Sequence, residues 1–338
     1  MRETNQRLKS DISGMDLCEA YWREVGRPMI EQRFPTLIPR MAAGLVGEGS
    51  ECFGFDDAIS RDHDWGPSFC VWIRDNEFAL FGQELAAAYD ELPLEFRGMT
   101  FAFRREQAQG RRGFIPINLF YERFLRRPDA PTTNIDWLRL PESYLAVATN
   151  GKVFEDNLGE FTAVREALLA FYPEDVRKKK LAACLLTMAQ TGQANFCRMM
   201  ARFDTVAAEM CRHQFIESAC KAMYLLNRRY APYYKWMWRG LVGQERLADV
   251  PELLRELAAM RLDTSNWTDA CCNVSSCGPN MKDPAVALIE RICGRFIEEL
   301  EVQDLAHEED SYLEFHAYAV QESIADPQLR NLPVPVGL

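Results

Sequence analysis

The sequence predicts an α+β protein, with a mixed sheet and flanking helices in its first part and a mostly α-helical second part. Two textures and the seam between them carry that expectation. From Met41 to about Phe120 apolar residues come in short runs and alternations suited to strands. Beyond residue 134 they recur at three- and four-residue intervals over long stretches, as helices with a buried face require. The seam, Arg127–Asn134, is rich in Pro and Thr. The 338 residues fit two domains, expected at 1–130 and 131–338.

Element by element, Leu17, Ala20, Tyr21, Val25, Met29 and Ile30 predict a helix over 16–34, broken by Pro35 and Pro39. Residues 42–46 predict a buried strand that runs into a glycine turn. Residues 63–73 predict a second strand, 84–91 a helix ended by Pro93, 94–104 a third strand and 113–119 a fourth. Pro116 suits an edge or bulge of that last strand. The helical part is expected over 162–170, 176–191, 193–227, 233–241, 250–260 and 284–304, with breaks at Gly192 and near Pro232. Residues 329–338 are rich in Pro and predict an irregular tail.

Composition bounds the function. Apolar residues make up 48% and charged residues 26%, ordinary for a globular protein. A net charge of −11 argues against a general polyanion binder, since nucleic-acid affinity rests on neutralising phosphates with Lys and Arg. Of eleven cysteines only Cys271, Cys272 and Cys277 cluster, and no second pair at finger-like spacing completes a zinc site. The odd count, with no signal peptide or membrane-spanning run, suggests reduced thiols in a cytoplasm. Lys178, Lys179 and Lys180 read as a solvated charge run.

Chemistry concentrates in Gly47-Glu48-Gly49-Ser50 and, after a short spacer, Ser60-Arg61-Asp62-His63-Asp64-Trp65-Gly66-Pro67. On an extended strand Asp62 and Asp64 project from one face, and His63 from the other, where a packed imidazole is the simpler role. Two hard carboxylates on one face suit magnesium, which takes its remaining ligands from water and substrate phosphates. The glycine turn lets backbone N–H groups approach a phosphate. Asp56 and Asp57 follow Gly54 and read as turn residues, with a supporting role behind the metal loop as the alternative.

This pattern resembles the signature of the nucleotidyltransferase superfamily, which includes polymerase-β-like enzymes and aminoglycoside nucleotidyltransferases. With Gly54-Phe55-Asp56-Asp57 and the later Leu226-Asn227-Arg228-Arg229-Tyr230-Ala231-Pro232-Tyr233-Tyr234-Lys235-Trp236, it more closely resembles a bacterial domain-of-unknown-function family, DUF4037, assigned to that superfamily. The similarity is expected over about 16–251. The resemblance implies that Gly47, Gly49 and Ser50 hold a triphosphate, that Asp62 and Asp64 bind Mg2+ as catalytic and metal residues, and that a helical domain completes the cleft. It also implies a third carboxylate on a neighbouring strand. The expected strand carries Asn118 instead, which leaves Glu122 and Glu95 as candidates.

In the helical part, Gln190, Gln193, Asn195, Arg198, Arg202 and Asp204 form a polar stripe, either a solvated face or a pocket wall. Around Pro232, Tyr230, Tyr233, Tyr234, Lys235, Trp236 and Trp238 suit packing between domains. Lys235 and Arg198 are also candidates for triphosphate, and Tyr234 or Tyr233 for stacking on a base. The resulting expectation is a magnesium-dependent nucleotidyltransferase that moves a nucleoside monophosphate from an NTP, such as ATP, to a hydroxyl of a small molecule or protein. Nucleic acid and membrane are disfavoured as partners, and a homo-oligomer is left open. The alternatives are a non-catalytic nucleotide-binding regulatory protein and an antitoxin-like or scaffold interaction protein.

Overall fold

The computed structural model describes residues 12–62, 65–101, 110–267 and 279–337. They form two compact units. One contains the described residues up to Pro131 together with Leu140–Phe171, and the other Thr132–Arg139 together with the described residues from Tyr172 on. In chain order the first elements are α1 (Gly14–Tyr21), α2 (Arg27–Arg33), β1 (Ala42–Leu45), β2 (Cys70–Ile73) and α3 (Asp75–Asp90). After these come β3 (Glu95–Phe96), β4 (Met99–Thr100), β5 (Gly113–Pro116), α4 (Ile117–Leu125), α5 (Asn134–Arg139), α6 (Glu142–Thr149), β6 (Lys152–Asp156) and α7 (Glu160–Leu169). The α+β expectation holds.

The first unit is built on a four-stranded sheet ordered β5-β2-β1-β6. β1 runs antiparallel to both β2 and β6, and β2 runs parallel to β5. Both faces are covered, so β2 reads as the continuous apolar run Cys-Val-Trp-Ile rather than an alternation. Phe69, Val71 and Ile73 join Tyr21, Trp22, Ile30, Leu37 and Leu85 in one core. On the other face the Trp72 ring stacks on Phe161 at 3.9 Å between centroids and meets Phe120 edge-on.

The predicted first helix is one run, α1 and α2 joined by a π-helical turn over Trp22–Gly26. Other expectations need correction. The second strand does not begin at His63: it is only Cys70–Ile73, because Pro67 cannot donate to a ladder and Asp57 and Ser60 fold the preceding chain into a turn. The third predicted strand is a short hairpin, β3 and β4, closed by Arg97-Gly98, both with positive φ. The fourth ends at Pro116, which starts α4, so Asn118 lies in the first turn of a helix. Residues 140–171 belong with the sheet, beyond the expected boundary at 130/131, because β6 is the strand that flanks β1.

The turn before β6 depends on one residue. Gly151 has φ +64°, its N–H donates to Cys52 O at 2.7 Å, and a Cβ there would lie 2.0 Å from Leu45 O. Gly151→Ala combines left-handed strain with a backbone clash. It is expected to cost about 2–4 kcal/mol in urea unfolding; a variant as stable as wild type would refute this reading.

The second unit is helical. Its main elements are α8 (Glu174–Met188), a π-helical segment Ala189–Phe196, α9 (Cys197–Ala201), α10 (Thr205–Leu226), α11 (Tyr234–Met237), α12 (Val250–Ala259), α13 (Pro284–Val302), α14 (Leu313–Glu322) and α15 (Pro327–Arg330). Gly192 does not break the helix; it lies within the π-helical segment, where a Cβ would meet Phe215 at 2.3 Å. The lysine run is not a solvated face. Lys179 is fully buried, and its ammonium donates to Gln321 Oε1 at 2.9 Å and to the carbonyls of Pro333 at 2.8 Å and Val334 at 3.3 Å. Lys180 is buried as well and donates to Gly337 O. These contacts fix 332–337, the expected irregular tail, because carbonyls there answer ammonium groups that α8 removes from water.

Among the described residues no helix is long and apolar enough to cross a membrane, and eight cysteines form no disulfide. Burial pushes Cys18 and Cys220 up to about 12, and Cys70 and Cys197 up to about 11. Above pH 9 an unfolded chain therefore releases protons that the native chain retains, so stability falls as pH rises, by about 1.4 kcal/mol for each unit by which a thiol is shifted. Lys179 opposes this between about pH 8 and its ordinary 10.5, since burial lowers it to about 8, but it is one group against several thiols. In reducing buffer the urea midpoint is expected to fall steadily from pH 9 to 11. A flat profile would contradict the burial of these thiols.

Candidate functional site

β1 delivers the chain into the Gly47–Ser50 turn. Gly47 and Gly49 have φ of +124° and +128°, and a Cβ on Gly49 would lie 2.6 Å from a Glu51 carboxylate oxygen. The turn thus needs glycine on both sides of Glu48. Asn150 clamps it from the end of α6: its Oδ1 accepts from Gly47 N at 2.9 Å and its Nδ2 donates to Gly47 O at 2.8 Å. Ser50 is nearly buried at the head of a 3-10 turn, Glu51–Phe53. Its carbonyl accepts from Phe53 N and Phe55 N, while its hydroxyl makes no hydrogen bond among the described residues.

Beneath the turn lies a buried ion pair. Arg112 Nη2 donates to Glu51 Oε1 at 2.7 Å and to Glu48 O at 2.9 Å, with side-chain exposures of 4% for Arg112 and 1% for Glu51. Arg112 Nη1 donates to Arg111 O, and Nε reaches Ser68 Oγ at 3.3 Å. Burial pushes the Glu51 carboxyl above its usual range, against the pull of Arg112. Above the turn, Glu48 Oε2 is 2.8 Å from Arg111 Nε and 2.5 Å from Arg123 Nη2. On the helix-covered side Arg112 also walls a cavity of about 540 Å3 lined by Tyr21, Tyr89, Phe101 and Phe114.

The spacer is ordered by its own polar groups. Asp57 closes a turn by accepting from Ile59 N and Ser60 N, as expected of a turn residue. Asp56 Oδ2 accepts from Gly14 N at 2.8 Å and Trp65 Nε1 at 3.1 Å, which ties the loop to α1. The Arg61 guanidinium lies 4.4 Å from the Trp65 ring centroid.

Asp62 closes a 3-10 turn, Ser60–Asp62, rather than standing on a strand. Its side chain, His63 and Asp64 lie outside the described residues, as do Cys271, Cys272 and Cys277. The third carboxylate is absent from the neighbouring strand, since β5 reads Gly-Phe-Ile-Pro. Glu122 is exposed on α4, and Glu95 is exposed on the separate β3–β4 hairpin, so neither lies on a sheet strand beside β2.

The structure brings Gly47, Gly49 and Ser50 into one turn. Arg198, Tyr234 and Lys235 belong to the helical unit, and all three are exposed. Arg198 donates to Asn195 Oδ1, the Tyr234 ring lies 4.4 Å from that of Tyr233, and Lys235 lies over Trp236 at 5.3 Å. Gln193 in the polar stripe is a buried staple: it donates to Glu290 and Ser311 O and accepts from Leu313 N. Asp204 caps α10. Sequence reasoning missed Asn150 and the arginines of the turn. The adjacent pair Arg111-Arg112, entering a strand, was the available signal.

No curated protein matches this chain. A solved structure, a nucleotidyltransferase-like protein from Exiguobacterium sibiricum 255-15, is similar at 11% identity and a TM-score of 0.34, covering 88% of this chain and 90% of that one. A family model described as Domain of unknown function (DUF4037) matches residues 137–237. That segment includes Asn150, β6 and Leu226–Trp236 but not the turn at Gly47–Ser50, so the match is shorter than the expected 16–251. The resemblance to DUF4037 read from the sequence is matched by this family model over residues 137–237.

Proposed function

We propose that this chain is a magnesium-dependent nucleotidyltransferase. The carrying observation is the Gly47–Ser50 turn, which combines two positive-φ glycines, a double Asn150 clamp and a largely buried serine whose hydroxyl makes no hydrogen bond among the described residues. A turn held so firmly presents backbone N–H groups and a hydroxyl to an anion at little reorganisation cost. The phosphates of an NTP are its natural occupants, given the superfamily resemblance of this turn and of the Asp62-His63-Asp64 segment that follows it.

The donor set fits magnesium: two carboxylates one residue apart, hard oxygens only, with phosphate to complete the shell. Bound there, Mg2+ would neutralise charge on the transferring phosphate. The chain's own part is to hold the triphosphate on the turn while an acceptor hydroxyl attacks the α-phosphorus in line. The new O–P bond forms as the bond to the β-phosphate oxygen breaks, pyrophosphate leaves with the electron pair, and the hydroxyl proton passes to water. The acceptor is a small molecule or a protein side chain.

The test is pyrophosphate release from ATP, GTP, CTP and UTP with Mg2+ across panels of hydroxylated small molecules and proteins. Release by wild type that Asp62→Asn and Asp64→Asn abolish is the expected result; equal, slow release by all three would refute transfer. A second reading has its own observation, the absence of an acid on β5. Magnesium-dependent NTP binding with no release from any acceptor would favour a non-catalytic nucleotide-binding protein.

A further inference from the structure

Glu48 is the one charged side chain in the Gly47–Ser50 turn, and it is already paired. Its carboxylate holds Arg111, from the approach to β5, and Arg123, from α4. All three side chains are about one-third exposed, at 35%, 36% and 33%. Arg123 is anchored on its other edge by Gly110 O at 2.9 Å. Arg112, by contrast, is buried and committed to Glu51 and to Glu48 O. The turn therefore has a fixed guanidinium below it and two accessible ones at its rim, both gripped by a carboxylate of the turn itself.

Three physical facts make that grip easy to break. Exposed ion pairs contribute little net stability, because water screens them and long side chains lose entropy in forming them. The Glu48 side chain is partly exposed at the rim, so its carboxylate can rotate into water about its own side-chain torsions while the clamped turn stays in place. A polyphosphate carries several charges and matches the planar guanidinium fork, so it competes well for arginines against one carboxylate.

We propose that Glu48 is a displaceable internal anion. It keeps Arg111 and Arg123 aimed at the turn in the empty protein, and the polyphosphate of the incoming nucleotide displaces it and takes over both guanidiniums. The proposal rests on reading Gly47–Ser50 as a phosphate site, and it names Arg111 and Arg123 as binding residues of that site.

The test is calorimetric titration of the full chain with inorganic tripolyphosphate in EDTA, which reads the arginines without the metal. Glu48→Gln removes the competitor and is expected to tighten binding at least threefold. Arg111→Gln and Arg123→Gln are expected to weaken it at least tenfold, and Arg123→Lys less than Arg123→Gln, since charge survives where the fork does not. Thermal melting of each variant controls for folding, and Glu48→Ala serves as a second competitor-free variant. Unchanged or weaker binding in both Glu48 variants overturns the proposal, as does unchanged binding in both arginine-to-glutamine variants. Wild type that binds no tripolyphosphate overturns the proposal and the phosphate reading together. Tight binding that follows the expected order, with no pyrophosphate release in the transfer assay, upholds the proposal and refutes only the transfer reading.

Discussion

Arg112→Leu is expected to destabilise the mixed-sheet unit by about 3–5 kcal/mol, because removing one partner of a buried pair leaves the other charge without compensation. The guanidinium is 4% exposed and serves four acceptors: Glu51 Oε1, Glu48 O, Arg111 O and Ser68 Oγ. Leucine fills part of the volume and satisfies none of them. Glu51→Gln is expected to cost less, about 1–3 kcal/mol, because glutamine keeps an acceptor for Arg112 Nη2 while the buried guanidinium loses its countercharge. Burial raises the Glu51 carboxyl above its usual range, so desolvation of the ionised form offsets part of what its pairing with Arg112 contributes. A group raised in this way contributes stability at low pH that is lost as pH rises through its folded value, so wild type should gain on Glu51→Gln as pH falls toward 5. Urea unfolding of the two variants checks the asymmetry; equal losses would contradict it.

The largest expected effect on activity belongs to Asp62 and Asp64. If both hold magnesium, Asp62→Asn or Asp64→Asn removes several kcal/mol of transition-state stabilisation, a loss on the order of 10^2–10^4-fold in turnover. Asparagine keeps the volume of the side chain, so melting temperature should be nearly unchanged. Tripolyphosphate binding in EDTA should also persist, since it depends on the turn and its arginines. A variant that loses turnover and melting temperature together would point to a structural aspartate instead. Retained turnover in both variants would remove the metal role.

The parts of the site legible in the sequence are those with a local physical cause. Gly47 and Gly49 stand where only glycine accepts the backbone, and Asp57 makes the turn that an Asp after a glycine suggests. The parts that were not legible depend on partners far along the chain. Asn150 reaches Gly47 across 103 positions, and nothing next to it in sequence marks it as a clamp. Lys179 looks like one of three solvated lysines until the carbonyls of Pro333 and Val334 arrive, more than 150 positions later. β6 reads Lys-Val-Phe-Glu-Asp, too polar and too short to stand out as a strand. The expected strand at 63–73 is cut to Cys70–Ile73 for a local reason, since Pro67 cannot donate to a ladder even though an apolar run follows it.

The sheet order β5-β2-β1-β6 also has a consequence in time. A nascent chain completes β2 first and β5 next, and β6 comes last, a little over one hundred residues after β1. At roughly 5–20 residues per second, a ribosome takes on the order of 5–20 s to supply that last strand. Throughout the interval β1 is an edge, with its outer N–H and C=O groups open to any other extended chain nearby. The moment of greatest exposure to mispairing is therefore during synthesis, before Lys152–Asp156 arrives to cover Ala42–Leu45.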